Sequence, residues 1–369
     1  MLKPVHLKPD LSRLSENEHK MIPLLLQAAD AMEMPYWIQE YGDPEPLLAS
    51  ISNKDIQRYV RINYGPWDRL HDNEPIISGV GEKPLGANFY PSDITRSEFD
   101  SAVAKAPEMK SAFTMIRRDQ KGRLVAIPYH EFFKEHIQQA VDSLYQAAEL
   151  AESPDFQRFL RLRAEALLTD DYRASDFAWM DLRDNSLELL IGPMEIVDQL
   201  FGIKTAYSAS ILIKAKESYN KLSMYKELLP RFQSSLPVPD QYKREHPGME
   251  SDIQVYDVLR FTGLDSCYTP TGVAWPDDEE VQLEKGFRSL LIKNVMQAKF
   301  ESIFMPLADL LIAREQRAHV HYGARFEFVM SHELAHGLGI KYTINGQESV
   351  REALADLQHV VEEGKADLV

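Results

Sequence analysis

Apolar positions recur at helical spacing over much of the first 180 residues. Between about 11 and 60, Leu24, Leu25 and Ala28 belong to one apolar stripe, since residues three and four apart share a helix face. Residues 98–180 show the same period, with charged residues of both signs between the apolar ones. The pattern predicts a helix-rich first half.

Short apolar runs bounded by Gly and Pro change the pattern further along the chain. Those that predict strands and their loops lie at 187–191, 207–213, 254–261 and 272–275. Helix is predicted again at 215–229 and from about 288 onward, while residues 63–95, rich in Gly, Pro, Asn and Asp, predict a long ordered loop. The fold class expected is therefore mostly α with a smaller β component.

The strongest chemical signal is the pentapeptide HExxH, formed by His332, Glu333 and His336. On a helix, positions four apart lie on one face, so both imidazoles can bind a single metal ion. Glu333 then lies beside the metal, where it can accept a proton from the attacking water. The alternative is an ordinary surface helix with two histidines, so a third ligand decides between these interpretations.

Two layouts of zinc peptidases supply that ligand differently. The metzincin pattern requires a third histidine six residues after the second and a later Met-turn. This chain has Tyr342 there and no methionine after Met330, which excludes that layout. The other layout takes a glutamate from a later helix, with further carboxylates that orient the histidines.

The tail of the chain offers such carboxylates. Ser349 and Glu352 form a capping box that predicts a helix running to the end of the chain. Its acidic side contains two ExxxD pairs eleven residues apart, Glu352/Asp356 and Glu363/Asp367. An acidic stripe is often only a solvated face, and spacing alone does not choose between the pairs.

The sequence around the second pair resembles a known family. Glu362-Glu363-Gly-Lys-Ala-Asp367 is similar to the EExxAE/D motif of the dipeptidyl peptidase III family of zinc peptidases. The resemblance implies that Glu363 binds one Zn²⁺ ion with His332 and His336, while Glu362 and Asp367 hold the histidines. Most of the family has a six-residue motif. The five-residue HExxH of this chain resembles that of a shorter bacterial branch.

Upstream blocks extend the resemblance over about residues 60–369. They are 63–69 and 86–91, which resemble a branch related to Nudix-fused members, and 191–195, 201–204, 286–287 and 293–300, which are similar to family blocks. The resemblance implies that Glu188 and Asp277 hold the substrate's amino terminus. Leu190 and Ala274 depart from the family pattern, and the oxyanion-stabilising tyrosine of the family has no counterpart placed here.

Composition limits the classes of binding partner that the chain is expected to have. The net charge of −16 disfavours nucleic acid and anionic membranes, both of which attract basic surfaces. Cys267 is the only cysteine, so no internal disulfide can form, and it is expected to be a core residue rather than a nucleophile. Neither a signal-peptide core nor a membrane span is visible, and a cytoplasmic location is expected.

Together these observations predict a two-lobed α+β peptidase of the dipeptidyl peptidase III type, incomplete at the C-terminus. The first lobe is placed at 1–230 and the zinc-site lobe at 231–369, although the family's lobes interleave. The predicted function is zinc-dependent removal of dipeptides or short units from the N-terminus of oligopeptides. The alternative is a non-catalytic or truncated relative that binds zinc and peptides. A Nudix hydrolase is excluded because its GxxxxxEx7REUxEExGU motif is absent from the sequence.

Overall fold

A computed structural model describes residues 3–183, 185–243, 251–340, 342–346 and 348–369. Within these ranges the side chains at 219–221, 223, 226, 251, 279, 351, 352, 356 and 359 are outside the description. Helices predominate over strands, which confirms the predicted fold class. No described helix combines the length and apolar character needed to span a bilayer.

The helices of the described chain are, in order, α1 Glu16–Asp30, α2 Glu33–Glu40, α3 Pro44–Ser50, α4 Lys54–Asn63, α5 Arg96–Val103, α6 Tyr129–Phe132, α7 Lys134–Leu150, α8 Pro154–Thr169, α9 Arg173–Asp181, α10 Lys216–Ser235, α11 Leu264–Tyr268, α12 Glu279–Lys285, α13 Lys293–Lys299, α14 Met305–Leu311, α15 Tyr322–Ala335, α16 Val350–Leu354 and α17 Gln358–Leu368. A π-helical turn, Phe300–Phe304, joins α13 to α14. The strands are β1 Trp67–Asp68, β2 Glu74–Pro75, β3 Thr114–Arg118, β4 Leu124–Pro128, β5 Leu187–Ile196, β6 Thr205–Lys214, β7 Ser251–Gly263, β8 Gly272–Trp275 and β9 Phe287–Ile292.

The chain divides into two compact units, each formed by segments that are not contiguous in the sequence. The N-terminal unit contains Leu11–Leu212 and Leu259–Thr269, and the C-terminal unit contains Met1–Asp10, Ile213–Val258 and Pro270–Val369. The division predicted after residue 230 stays a prediction. In the structure that position lies inside α10, which extends beyond the helix predicted at 215–229.

The N-terminal unit is built around packed helices. In it α7 packs against α1 and α8, and α8 packs against α9. Local signals fix where these helices begin: Ser15 and Glu18 form a capping box at α1, and Ser153 caps α8 with Pro154 in its first turn. Their apolar faces form the core, whose fully buried residues include Leu25, Leu144, Leu160 and Trp179.

In the C-terminal unit, residues of a three-stranded region pack against α15. Strand β9 lies between β7, with which it is parallel, and β8, with which it is antiparallel. Ile253, Val255 and Leu291 of these strands form one core cluster with Phe326, Met330 and Leu334 of α15. This cluster sets which face of α15 points into the core.

Two local expectations are wrong. Residues 287–292, expected to be helical, form β9, because a strand buried on both faces of its sheet shows no period-2 signal. The tail helix is interrupted by the 3-10 turn Ala355–Leu357, with Ala355 at φ 45°. Residues 98–180 are mainly helical, as predicted, and β3 and β4 form an antiparallel hairpin within them.

Candidate metal centre

Helix α15 carries the HExxH residues at its C-terminal end. His321 caps its N-terminus by accepting a hydrogen bond from the Ala324 N–H. Phe326, Met330 and Leu334 are buried in the core at helical spacing, so the opposite side of the helix carries His332. The helix ends at Ala335, and His336 is the capping residue with φ −57° and ψ −32°, which keeps it in register with His332.

Three side chains converge on one point. The Nε2 atoms of His332 and His336 are 3.2 Å apart. A carboxylate oxygen of Glu363, on α17, lies 3.2 Å from the first nitrogen, and its other oxygen lies 3.9 Å from the second. Among the described residues these three form a potential metal-binding group whose ligand atoms all lie within 4.8 Å of one another. The structure thus brings together the three predicted ligands.

The donor set fits a zinc ion. His332 Nδ1 lies 2.8 Å from Asp367 Oδ1, and His336 Nδ1 lies 2.9 Å from Glu362 Oε1. Each Nδ1–H donates to its carboxylate, so each Nε2 is left with a lone pair. Two lone pairs and a carboxylate oxygen at such distances repel one another unless a cation lies between them. Tetrahedral zinc with bonds of about 2.0–2.2 Å separates its ligands by roughly 3.4 Å.

Glu333 lies next to this group without being part of it. It lines a cavity together with His332 and Asp367. Burial raises the pKa of Glu333, His336 and His332 counteract that increase, and Glu363 adds to it. A carboxylate whose pKa is raised toward neutrality is suited to accept and return a proton.

Lys365 is a residue of the site that the sequence reasoning missed. Its Nζ lies 2.7 Å from Glu362 Oε1 and donates to the carbonyl oxygens of His336, at 3.2 Å, and Leu338, at 2.8 Å. It therefore joins the end of α15 to the carboxylate that holds His336. Burial raises the pKa of Glu362, but hydrogen bonds from His336 and Lys365 outweigh this and leave it lowered. The available signal was its position three residues after Glu362, on the same helix face.

The remaining predicted residues lie elsewhere. Glu188 is fully buried on β5 in the N-terminal unit, where Oε1 accepts from Trp179 Nε1 and Oε2 from Asn185 Nδ2. Asp277 is exposed after β8, in the same unit as the metal centre. Their predicted contact with a substrate's amino terminus stays a prediction. The side chains of Glu352 and Asp356, the alternative carboxylates, lie outside the described residues.

The chain is similar to peptidases over nearly its whole length. Residues 88–353 match the profile of Peptidase family M49. The structure of DPP III from Caldithrix abyssi superposes with a TM-score of 0.91 at 37% identity, covering 99% of this chain and 72% of that one. Dipeptidyl-peptidase III from Corallococcus sp. strain EGB gives 0.80 at 33% identity, covering 99% and 70%.

Two curated relatives also match the chain. Nudix hydrolase 3 of Arabidopsis thaliana is 30% identical over 99% of this chain and 55% of its own length. Dipeptidyl peptidase 3 of Nematostella vectensis is 25% identical over 44% of this chain and 22% of its own length. The chain thus spans about half of the first relative and less of the second.

The fold is that of the solved dipeptidyl peptidase III structures, and the chain belongs to peptidase family M49. The predicted resemblance to the dipeptidyl peptidase III family is confirmed.

Proposed function

We propose that this protein is a zinc-dependent peptidase that releases dipeptides or short units from the N-terminus of oligopeptides. The observation that carries the proposal is the convergence of His332, His336 and Glu363, with a separate carboxylate holding the Nδ1 atom of each histidine. Membership of peptidase family M49 supports the peptidase class. The likeness to solved dipeptidyl peptidase III structures supports the dipeptide unit.

Each residue has a distinct role in this proposal. His332, His336 and Glu363 hold Zn²⁺, which when bound supplies a Lewis acid that polarises a peptide carbonyl and acidifies water. The carboxylate of Glu333 accepts a proton from the attacking water and then donates it to the nitrogen of the leaving amine. Asp367 and Glu362 keep the imidazole rings oriented.

Substrate orientation requires a group that binds the free amino terminus. We assign this to Asp277, which is exposed in the same unit as the metal centre and carries the charge that an ammonium group prefers. Glu188 is kept as the second candidate from the family resemblance, although its oxygens already accept hydrogen bonds in the interior. Oligopeptides are the proposed partners and the cytoplasm the proposed location.

The test compares unblocked octapeptides with their N-acetylated forms. The purified, zinc-loaded protein is incubated with both sets, and the products are identified by mass spectrometry. We expect dipeptides from the unblocked peptides only. The matched control is Glu333→Gln, which retains the metal ligands and removes the base, and should cleave neither set.

The opposite outcome favours the alternative function. If a sample shown to contain one zinc ion per chain cleaves neither set, the protein is a zinc- and peptide-binding relative without efficient hydrolysis. The changes at Leu190 and Ala274 motivate this alternative. Cleavage of acetylated peptides at internal bonds would instead contradict the N-terminal preference.

A further inference from the structure

The metal centre opens into a cavity in the C-terminal unit. Its volume is about 580 Å³, within the range of pockets that enclose small ligands. His332 and Glu333 line it at the metal, and Phe300, Phe304 and Leu307 contribute an apolar wall. A group that fills this cavity therefore contacts the site where proton transfer is proposed.

One face of α15 runs along the cavity. Arg325, Phe328, Val329, His332 and Glu333 all line it, and their spacing of three or four residues places them on one side of the helix. Arg325 precedes His332 by seven residues, which corresponds to about 10 Å along the helix axis at 1.5 Å per residue. Phe328 and Val329 cover the helix surface between them.

Along α15 the charges that line the cavity are separated, with Arg325 about two helical turns from Glu333. The carboxylates of the cavity, Glu333 and Asp367, belong to the metal centre, whereas Lys299 of α13 and Arg325 supply positive charge. The guanidinium of Arg325 lies over the Phe328 ring, 5.5 Å from its centroid. Arg325 is exposed, and in the described part of the chain no carboxylate forms an ion pair with it.

This arrangement determines which half of a peptide the cavity accepts. A free amino terminus is positively charged and lies only two residues from the scissile bond, so the basic end of the cavity repels it. The leaving half ends in a carboxylate, which the same charges attract. An extended peptide advances about 3.4 Å per residue, so three residues span the distance between His332 and Arg325.

We propose that the cavity binds the leaving half of the substrate and that Arg325 selects peptides with a carboxylate about three residues beyond the scissile bond. That carboxylate is an acidic side chain or the C-terminus of a pentapeptide. The inference rests on the proposed function for the position of the scissile bond. Phe328 and the apolar wall then contact the intervening side chains.

The experiment uses one pentapeptide with a free C-terminal carboxylate and the same peptide as a C-terminal amide. In the zinc-loaded protein, kcat/KM should be about tenfold higher for the acid, the order expected for a charge-assisted contact, with most of the difference in KM. Arg325→Gln should bring the two peptides within about twofold of each other, and Arg325→Lys should retain part of the preference. Arg314→Gln removes an exposed charge outside the cavity and should leave the preference unchanged.

Binding measured without turnover separates this inference from the proposed function. The dissociation constants of both peptides are measured with Glu333→Gln and with the double variant Glu333→Gln/Arg325→Gln. Tighter binding of the acid that Arg325→Gln removes supports the inference even if the native chain hydrolyses nothing. Equal binding of acid and amide, no binding of either, or a preference that survives Arg325→Gln overturns it, whether or not peptides are cleaved.

Discussion

The two histidines of the metal centre are held in matching ways. Each Nδ1 is bonded to a carboxylate of α17, Asp367 for His332 and Glu362 for His336, and Glu363 faces both Nε2 atoms. Consecutive glutamates of one helix therefore have different roles, because neighbouring positions differ by about 100° in direction. In the proposed centre, the EExxAD spacing would provide the orienting pair, Glu362 and Asp367, and the ligand, Glu363, within six residues.

The ligand assignment predicts distinct effects of two glutamate substitutions. Glu363→Ala should weaken zinc affinity by more than about 100-fold, because even outer partners of zinc ligands change it by 10–100-fold. Glu352→Ala, which removes the alternative carboxylate, should change it little. Competition with a chelator of known affinity measures both. Full zinc affinity in Glu363→Ala with loss in Glu352→Ala would show that the other ExxxD pair supplies the ligand.

A second prediction concerns pH and His336. The hydrogen bond to Glu362 raises the pKa of His336 above its ordinary value of 6.5, although burial opposes the increase. A group whose pKa is raised on folding stabilises the fold below its unfolded pKa, and that contribution is lost as pH rises through the folded value. In metal-free protein, the stability advantage over His336→Gln should therefore decrease between about pH 6 and 8.

Denaturant unfolding of the chelator-treated proteins across this pH range gives the difference. His319→Gln, which changes an exposed histidine of the same unit, is the matched control and should show no such trend. Burial lowers the pKa of Lys204 to about 7, but its contribution to stability is the same in both proteins and cancels in the difference. An advantage over His336→Gln that is constant with pH would contradict the role assigned to the Glu362 contact.

At the level of elements, a 3-10 turn separates α16 from α17, the helix that carries Glu363. Ala355 has φ 45°, in the left-handed region that glycine adopts readily and other residues adopt at a cost of about 1 kcal/mol. The break also means that residues before and after it do not share one continuous 3.6-residue period. The spacing of eleven residues therefore does not place the two ExxxD pairs on one helix face.

Ala355→Gly should accordingly stabilise the protein, by about 0.5–1 kcal/mol. The matched control is Ala353→Gly, two residues earlier within α16, which should destabilise by a similar amount because glycine is a poor helix former. Thermal unfolding of the three proteins under identical zinc conditions provides the comparison. A loss of stability in Ala355→Gly as large as in Ala353→Gly would mean that position 355 is helical in solution.

The sequence predicted well where the determining interactions are local. The HExxH helix depends on residues within one or two turns, and the structure has it as α15. Strand β9 could not be recognised, because its strand state depends on pairing with β7 and β8 rather than on its own pattern. Lys365 was missed for a related reason, since two of its partners are carbonyls at the end of a different helix.

For the molecule as a whole, the division into two units predicts which part of the chain zinc binding stabilises. The three proposed ligands all belong to the C-terminal unit, while the N-terminal unit has its own helical core around α7 and α8. A ligand that binds only the folded state stabilises it by about 2.7 kcal/mol at a hundred times its dissociation constant. Zinc should direct this stabilisation to the unit that contains its ligands.

Amide hydrogen exchange with and without zinc tests this expectation. Protection should rise in α15 and α17, because zinc joins His332 and His336 to Glu363 and so links the two helices. It should change little in α7 and α8, whose packing involves none of these residues. Glu363→Ala provides the control and should lose the zinc-dependent protection. Equal increases in α7 and α8 would instead show that the two units open as one cooperative structure, so that zinc binding stabilises the whole chain.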